Sequence, residues 1–341
     1  MNIGILGAGA WGTALAIALS ERPELPDLPK LRIRLWARDA TQVARMRAQG
    51  ENTRYLPDCP LPPTLQLDDD LAQTLASAEL LILAVPLAGL RPLLGELAAR
   101  RSQTPFLWLC KGLEAQTGLL PHQVVEQTLD IGIPHGALTG PSFALEVARG
   151  LPTALTLAAT DATFTRRIAR VLHGGHLRIY ANADLIGAEV GGAVKNILAI
   201  AAGICDGLGL GHNARAALLT RGLAEMTRFG VALGAQRDTF TGLAGLGDLL
   251  LTCTGDLSRN RRVGLLLAEG RALDDITRGL GHVAEGVPAT GEVARHADAL
   301  GISMPITHAV AAVLAGQWTP RQAAAQLMAR DARAETDGQV E

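Results

Sequence analysis

Aromatic side chains are scarce in this 341-residue chain: four tryptophans, two tyrosines and five phenylalanines, 3% of the total. A core so short of rings has to be built from Ala, Leu, Ile and Val, and alanine's helix preference predicts a helix-rich protein. Excess charge is missing too. The formal net charge is −2, which offers nucleic acid no basic surface. Cys59, Cys110, Cys205 and Cys253 lie far apart and form no CxxC pair. They are expected to be buried free thiols in a reducing compartment. No Cys/His cluster has zinc spacing. His173 and His176 flank Gly174 and Gly175, but no further ligand set accompanies them, so no metal is expected. There is no uninterrupted apolar run of about 18 residues, hence no expected membrane span. The nearest stretch, 185–204, contains Glu189, Lys195 and Asn196. The opening MNIGILGAGA lacks the basic leader of a signal peptide and reads as a strand and turn. A cytoplasmic placement is the simplest expectation.

What is present is core material. Apolar residues make up 48% and charged residues 19%, an ordinary globular balance, and the length favours two domains. The first half alternates short apolar runs with helical patterns. Strands are expected at 3–6, 33–36, 80–85 (stopped by Pro86), 106–110, 137–139 and 153–158, with helices at 11–20 and 41–49. Continuous apolar strands with helical crossovers predict an α/β fold: a Rossmann-like, doubly wound, mostly parallel sheet covered on both faces. Near Ala183 the text changes. From there to about Arg333 it is Ala/Leu-rich with glycine punctuation, as at 214–229, 263–269 and 290–300, and no strand is expected. The division is therefore a dinucleotide-binding domain over 1–186 and an all-helical C-terminal domain over 187–341. The polar tail from Asp331 should fray. A loop over 21–30 carries Pro23, Pro26 and Pro29 and reads as a surface insertion without a role.

Glycines then carry the chemistry. Gly7-Ala8-Gly9-Ala10-Trp11-Gly12 is a GxGxxG that follows a strand and opens a helix. Gly7 permits the tight turn, Gly9 lets a pyrophosphate approach the backbone, and Gly12 lets helix and strand pack closely. The helix N-terminus offers free N–H groups to the phosphates. At the end of the second strand, Arg38 suits the 2′-phosphate of NADP, whereas Asp39 points towards NAD; the balance leans to NADP.

A second group of residues follows. Lys111-Gly112 and Gly140-Pro141-Ser142-Phe143-Ala144 each lie just beyond a strand, where doubly wound sheets bind ligands. Ser142, with Glu146 nearby, also reads as a helix N-cap. Lys195 and Asn196 stand in an apolar, glycine-flanked helix, so the lysine either snorkels to the surface or is held in a cleft. In a cleft, desolvation lowers its pKa and makes proton transfer feasible. Downstream come Gly245-Leu246-Gly247-Asp248, Thr252, and Ser258-Arg259-Asn260, where Arg259 offers a bidentate phosphate site and Asn260 adds hydrogen bonds.

In this order the strings GAGAWGTALA, Asn52 to Pro57, CKGLE, TGPSFA, EVGGAVKNILAIAAGI, GLGDLLLTCT and SRNRRVG resemble the bacterial-type NAD(P)-dependent glycerol-3-phosphate dehydrogenases over nearly the whole chain. The resemblance implies hydride transfer between NAD(P)H and dihydroxyacetone phosphate, which supplies phospholipid synthesis, in a homodimer. It implies Lys195 as proton donor and acceptor and as a substrate contact, with Asp248 and Thr252 supporting it and holding substrate. Lys111, Gly140, Ser142, Ser258, Arg259 and Asn260 match its substrate contacts. Ala10, Trp11, Arg38, Tyr55, Lys111, Ala144, Arg259, Val283 and Glu285 match its cofactor contacts. The chain departs from the pattern at Ala10, where many members have Ser, and at Thr139, where Ser is commoner. A β-hydroxyacid dehydrogenase of the same architecture and a non-catalytic NAD(P)-binding redox sensor are the rival readings. The pairing of Arg259-Asn260 with GPSFA speaks against the first, and the joint presence of Lys195, Asp248 and Arg259 against the second.

Overall fold

The structure, a computed structural model, describes residues 1–129, 132–280 and 284–330. Val283 and the tail from Asp331 lie outside the described residues. In chain order the strands are β1 (Asn2–Leu6), β2 (Arg32–Trp36), β3 (Glu51–Asn52), β4 (Leu56–Pro60) and β5 (Gln66–Asp68), then β6 (Leu80–Leu83), β7 (Phe106–Trp108), β8 (His135–Thr139), β9 (Thr153–Ala158) and β10 (Leu177–Asn182). β3 and β4 form a separate antiparallel hairpin. The other eight lie in one sheet in the order β10-β9-β8-β7-β6-β1-β2-β5. Neighbours are parallel except β8 and β9. This is the expected Rossmann-like sheet. Its order reverses at β1, so a crevice opens beyond the C-terminal ends of β1 and β6, the usual ligand position in such sheets.

Four of these strands are not visible as strands in the sequence. The β3–β4 hairpin is very short and contains Pro57 and Pro60. β5 and β10 are the two edges of the sheet, and β10 alternates buried Leu177 and Ile179 with exposed Arg178 and Tyr180. Edge strands are half solvated and lack the continuous apolar run of the central ones. The strands expected at 80–85 and 106–110 end earlier, at Leu83 and Trp108.

The sheet is buried on both faces. Ile3, Ile5, Ile33 and Leu35 pack with the Ala10–Ser20 helix on one side. Leu81, Leu83, Phe106 and Trp108 pack with Leu90, Leu94 and Val124 on the other. The prolines at 21–30 lie in a mostly exposed loop, but Arg22 tucks inward, with its Nη2 donating to the Pro29 carbonyl and its stem against Gly174.

After Asn182 the described residues contain no strand. The centre of the helical half is the Leu185–Gly207 helix, long and apolar enough to cross a bilayer but almost wholly buried inside the fold. It packs against the Gly211–Ala232, Asp248–Thr254, Arg259–Ala268 and Gly286–Ala299 helices. Backbone meets backbone at one crossing. A Cβ on Gly203 would stand 2.0 Å from the Arg261 carbonyl oxygen, and one on Gly264 2.0 Å from that of Ile200. Only glycine allows this approach, and it sets where Ser258, Arg259 and Asn260 begin their helix beside the central one. All four cysteines are buried and free.

Candidate active site

Lys195 is buried midway along the central helix. Its Nζ donates to Asp248 Oδ1 at 2.5 Å and to Thr252 Oγ1 at 3.0 Å. The other oxygen of Asp248 accepts from Lys111 Nζ at 2.6 Å. Three distant segments thus meet on one carboxylate. Each arrives for a local reason. Asp248 follows a π-helical turn, Leu243–Gly247, which passes close to the central helix because Gly191 has no side chain: a Cβ there would lie 2.3 Å from the Ala244 carbonyl oxygen. Thr252 sits one turn beyond Asp248, and its hydroxyl donates to the Asp248 carbonyl. Lys111 leaves the end of β7 and lays its stem over Gly192.

The electrostatics follow from this packing. Burial pulls the Lys195 ammonium down to about 8; the Asp248 charge works against that, and the Lys111 charge works with it. The lysine is held in a cleft rather than snorkelling. Burial pushes the Asp248 carboxyl up, but the two ammonium groups outweigh burial and leave it below its ordinary value. Asp248 is therefore a carboxylate, and Lys195 is a buried amine whose proton is easily exchanged near neutral pH.

Gly140 turns with φ +126° at the end of β8. Ser142 is not the helix N-cap suggested by its sequence position. The Ala144–Ala148 helix is capped by Phe143 without a side-chain bond, and the Ser142 hydroxyl donates to the Gly140 carbonyl at 3.0 Å. Ser258 is the true cap: its Oγ accepts the Arg261 N–H at the start of the Arg259–Ala268 helix. Arg259 is exposed. Asn260 is buried, and its amide is already engaged, donating to Asn196 Oδ1 at 2.9 Å and accepting from the Gly286 N–H at 3.0 Å. Glu285 is partly buried. Burial raises its carboxyl against the positive charges of Arg259, Lys111 and Lys195, all within electrostatic reach.

The phosphate loop lies at the end of β1. Gly7 has φ +126°, and a Cβ on it would stand 2.4 Å from the Ala84 carbonyl oxygen. A Cβ on Gly12 would lie 2.1 Å from the Gly7 carbonyl oxygen, so loop and helix touch. At Gly9 the same atom would meet nothing within 4 Å. Gly9 caps the Ala10–Ser20 helix with no side-chain bond and no acid in the first turn. Open space before uncapped N–H groups fits a dinucleotide pyrophosphate. Arg38 is exposed past the end of β2. Asp39 is spent locally, its Oδ1 accepting from Thr41 N and Gln42 N as the cap of the Ala40–Gln49 helix. Tyr55 sits in the β3–β4 hairpin with the Arg54 guanidinium 5.0 Å from its ring centre. Arg38 and Asp39 follow β2, three places along the sheet from β7, beyond whose end Lys111 lies.

Two family models match consecutive parts of the chain. The NAD-dependent glycerol-3-phosphate dehydrogenase N-terminus covers residues 2–165, and the C-terminus of the same family covers 184–325. The chain belongs to this family. The glycerol-3-phosphate dehydrogenase [NAD(P)+] of Dechloromonas aromatica (strain RCB) is 57% identical over 98% of this chain and 99% of its own length. That of Aromatoleum aromaticum is 53% identical over 98% and 100%. A crystal structure of glycerol-3-phosphate dehydrogenase from Coxiella burnetii, 42% identical, superposes with a TM-score of 0.89 over 96% of this chain and 99% of that one. The enzyme is thus an NAD(P)-dependent oxidoreductase acting on glycerol 3-phosphate.

Two groups of this dehydrogenase had no assigned role in the sequence. Glu189, buried in the central helix, binds His122 of the Pro121–Thr128 helix. Asn52, in the hairpin, binds the phosphate loop. Asn52 begins the Asn52 to Pro57 string, but an asparagine shortly before a proline reads locally as a turn residue. Only the long-range contact distinguishes it.

Proposed function

We propose that Lys195 is the general acid and base of a reversible reduction of dihydroxyacetone phosphate to sn-glycerol 3-phosphate. The carrying observation is its buried Nζ, held between Asp248 and Thr252 beside Lys111. Bound NADPH or NADH supplies the hydride that makes the new C–H bond at C2 of the ketone. Lys195 holds a proton on Nζ for the carbonyl oxygen. As the C=O π pair moves onto that oxygen, the N–H bond breaks and an O–H bond forms; such a proton donor contributes roughly 10²–10⁴-fold. In the reverse direction the neutral amine takes the hydroxyl proton back. Asp248 fixes the direction of Lys195 and balances the charge of Lys111. Lys111, Gly140, Ser142, Ser258, Arg259 and Asn260 surround the substrate, and the exposed guanidinium of Arg259 holds its phosphate.

The cofactor lies along Gly7, Gly9, Ala10, Trp11 and Gly12. Arg38 and Tyr55 stand at its adenosine end, and Lys111, Ala144, Arg259 and Glu285 along the remainder. NADPH is preferred, because Asp39 is committed to its helix and leaves Arg38 to meet a 2′-phosphate. The dinucleotide part spans 1–186 and the helical part 187–341. The enzyme works in the cytoplasm as a homodimer and supplies phospholipid synthesis.

The test is nicotinamide absorbance with purified enzyme, dihydroxyacetone phosphate, and NADPH or NADH in parallel. Substrate-dependent loss of absorbance supports the reaction, and the ratio of the two rates reports the role of Arg38. No loss from a folded protein that binds both cofactors would overturn the substrate assignment.

A further inference from the structure

Asn52 is wholly buried. Its Nδ2 donates to the Ala8 carbonyl at 3.0 Å and to Thr13 Oγ1 at 2.8 Å. Its Oδ1 is buried with no hydrogen-bond partner. An amide used only through its N–H groups is there to donate. A second amide joins it: Gln42 Nε2, from the helix after β2, donates to the same Ala8 carbonyl at 2.8 Å. Two side chains remote in sequence thus converge on one carbonyl of the phosphate loop.

The consequence follows from peptide geometry. The Ala8–Gly9 peptide is planar and trans, so its C=O and N–H point in opposite directions. Drawing the Ala8 oxygen inward turns the Gly9 N–H outward. That N–H has no partner among the described residues. Gly9 itself faces open space where a Cβ would meet nothing. The loop could otherwise rotate this peptide, since glycine on one side removes the usual steric barrier.

We infer that Asn52, together with Gln42, is a positioning residue that aims the Gly9 N–H at the cofactor pyrophosphate. This rests on the cofactor placement proposed above. It also explains the β3–β4 hairpin, which carries Asn52 against the loop and Tyr55 alongside the adenosine end. Because NADPH and NADH share the pyrophosphate, the effect is on affinity for both and not on the choice between them.

The test is Asn52→Ala, with Gln42→Met as an independent variant, each compared with the parent enzyme. Dissociation constants for NADPH and NADH are read from nucleotide fluorescence without substrate, alongside kcat and KM for dihydroxyacetone phosphate at saturating cofactor. Asn52→Ala is expected to weaken both cofactors by the same factor, about tenfold, which corresponds to the loss of roughly one well-placed hydrogen bond. The Gln42→Met loss is about threefold, because Asn52 still donates both to the Ala8 carbonyl and to Thr13 Oγ1, whereas Asn52→Ala removes both of those bonds. The kcat and the substrate KM should stay within about twofold, since the Lys195 cluster is untouched. Unchanged cofactor affinity in either folded variant overturns the inference. So does an equal loss in kcat, substrate KM and cofactor affinity, the mark of a merely structural residue. If Asn52→Ala does not fold, Gln42→Met decides alone. Failure of the parent enzyme to bind either nucleotide would instead sink the cofactor placement.

Discussion

Glu189 grips His122 twice: its Oε1 accepts the His122 backbone N–H at 2.9 Å, and its Oε2 meets the ring Nδ1 at 2.5 Å. The pair joins the helical half to the segment that carries Lys111. Glu189, Gly192 and Lys195 lie at three-residue steps on one face of the central helix, so His122, the Lys111 stem and Asp248 are stacked along it. Burial pushes the Glu189 carboxyl up, and the bonds to His122 offset this only in part. Burial pulls the His122 imidazole down, but Glu189 outweighs it and holds the ring above its ordinary value.

His122→Ala strands a buried carboxylate, and breaking such a pair costs about 3–5 kcal/mol. The cost depends on pH. Glu189 has a raised pKa, so the folded state binds its proton more tightly than the unfolded chain does, and the stranded group is best tolerated when protonated. The loss should therefore be larger at about pH 8 than at about pH 5. Urea unfolding at both values measures it, and a loss independent of pH would count against an ionised pair.

Lys195→Ala should lower kcat by about 10²–10⁴-fold while cofactor affinity stays near that of the parent. The lysine must be protonated to reduce the ketone and neutral to oxidise the alcohol. With its ammonium brought down to about 8, the reduction rate should fall as pH rises through that value and the oxidation rate should rise. Rate profiles in both directions check the sign. Parallel profiles would assign the proton to another group.

Arg259→Ala should raise KM for dihydroxyacetone phosphate. A charge-assisted bond is worth roughly 1.5–3 kcal/mol, or about 10–100-fold in affinity. Steady-state kinetics decide this, and an unchanged KM would remove Arg259 from the phosphate.

Arg38→Ser should shift kcat/KM away from NADPH by about tenfold or more, the scale of one lost charge-assisted contact. Asp39→Ala, by contrast, removes a helix cap and should cost about 1 kcal/mol of stability. It should leave the ratio of the two cofactors alone. A reversal of preference in Asp39→Ala would show that its carboxylate reads the ribose after all.

Much of this architecture is legible locally. The central strands announce themselves because burial on both faces demands continuous apolar runs such as Leu80 to Leu83. The phosphate loop announces itself because Gly7 and Gly12 sit where any side chain would collide with backbone. The edges of the sheet escape notice, since half-solvated strands such as Leu177–Asn182 mix polar and apolar residues. Ser142 misleads because the capping rule is local. The chain caps that helix at Phe143 and turns the hydroxyl back to Gly140.

The order of the motifs, the change of texture near Ala183 and the types of residue able to do the chemistry are properties of the sequence alone. They arise from short-range periodicity and turn sterics. Which groups touch is decided by the tertiary structure. Asp248 stands 137 residues from Lys111 and 53 from Lys195, and Asn52 stands 44 from the carbonyl it holds. The sign of the Lys195 shift belongs there too. It is a contest between desolvation and a neighbouring carboxylate, and neither burial nor distance exists until the central helix is enclosed.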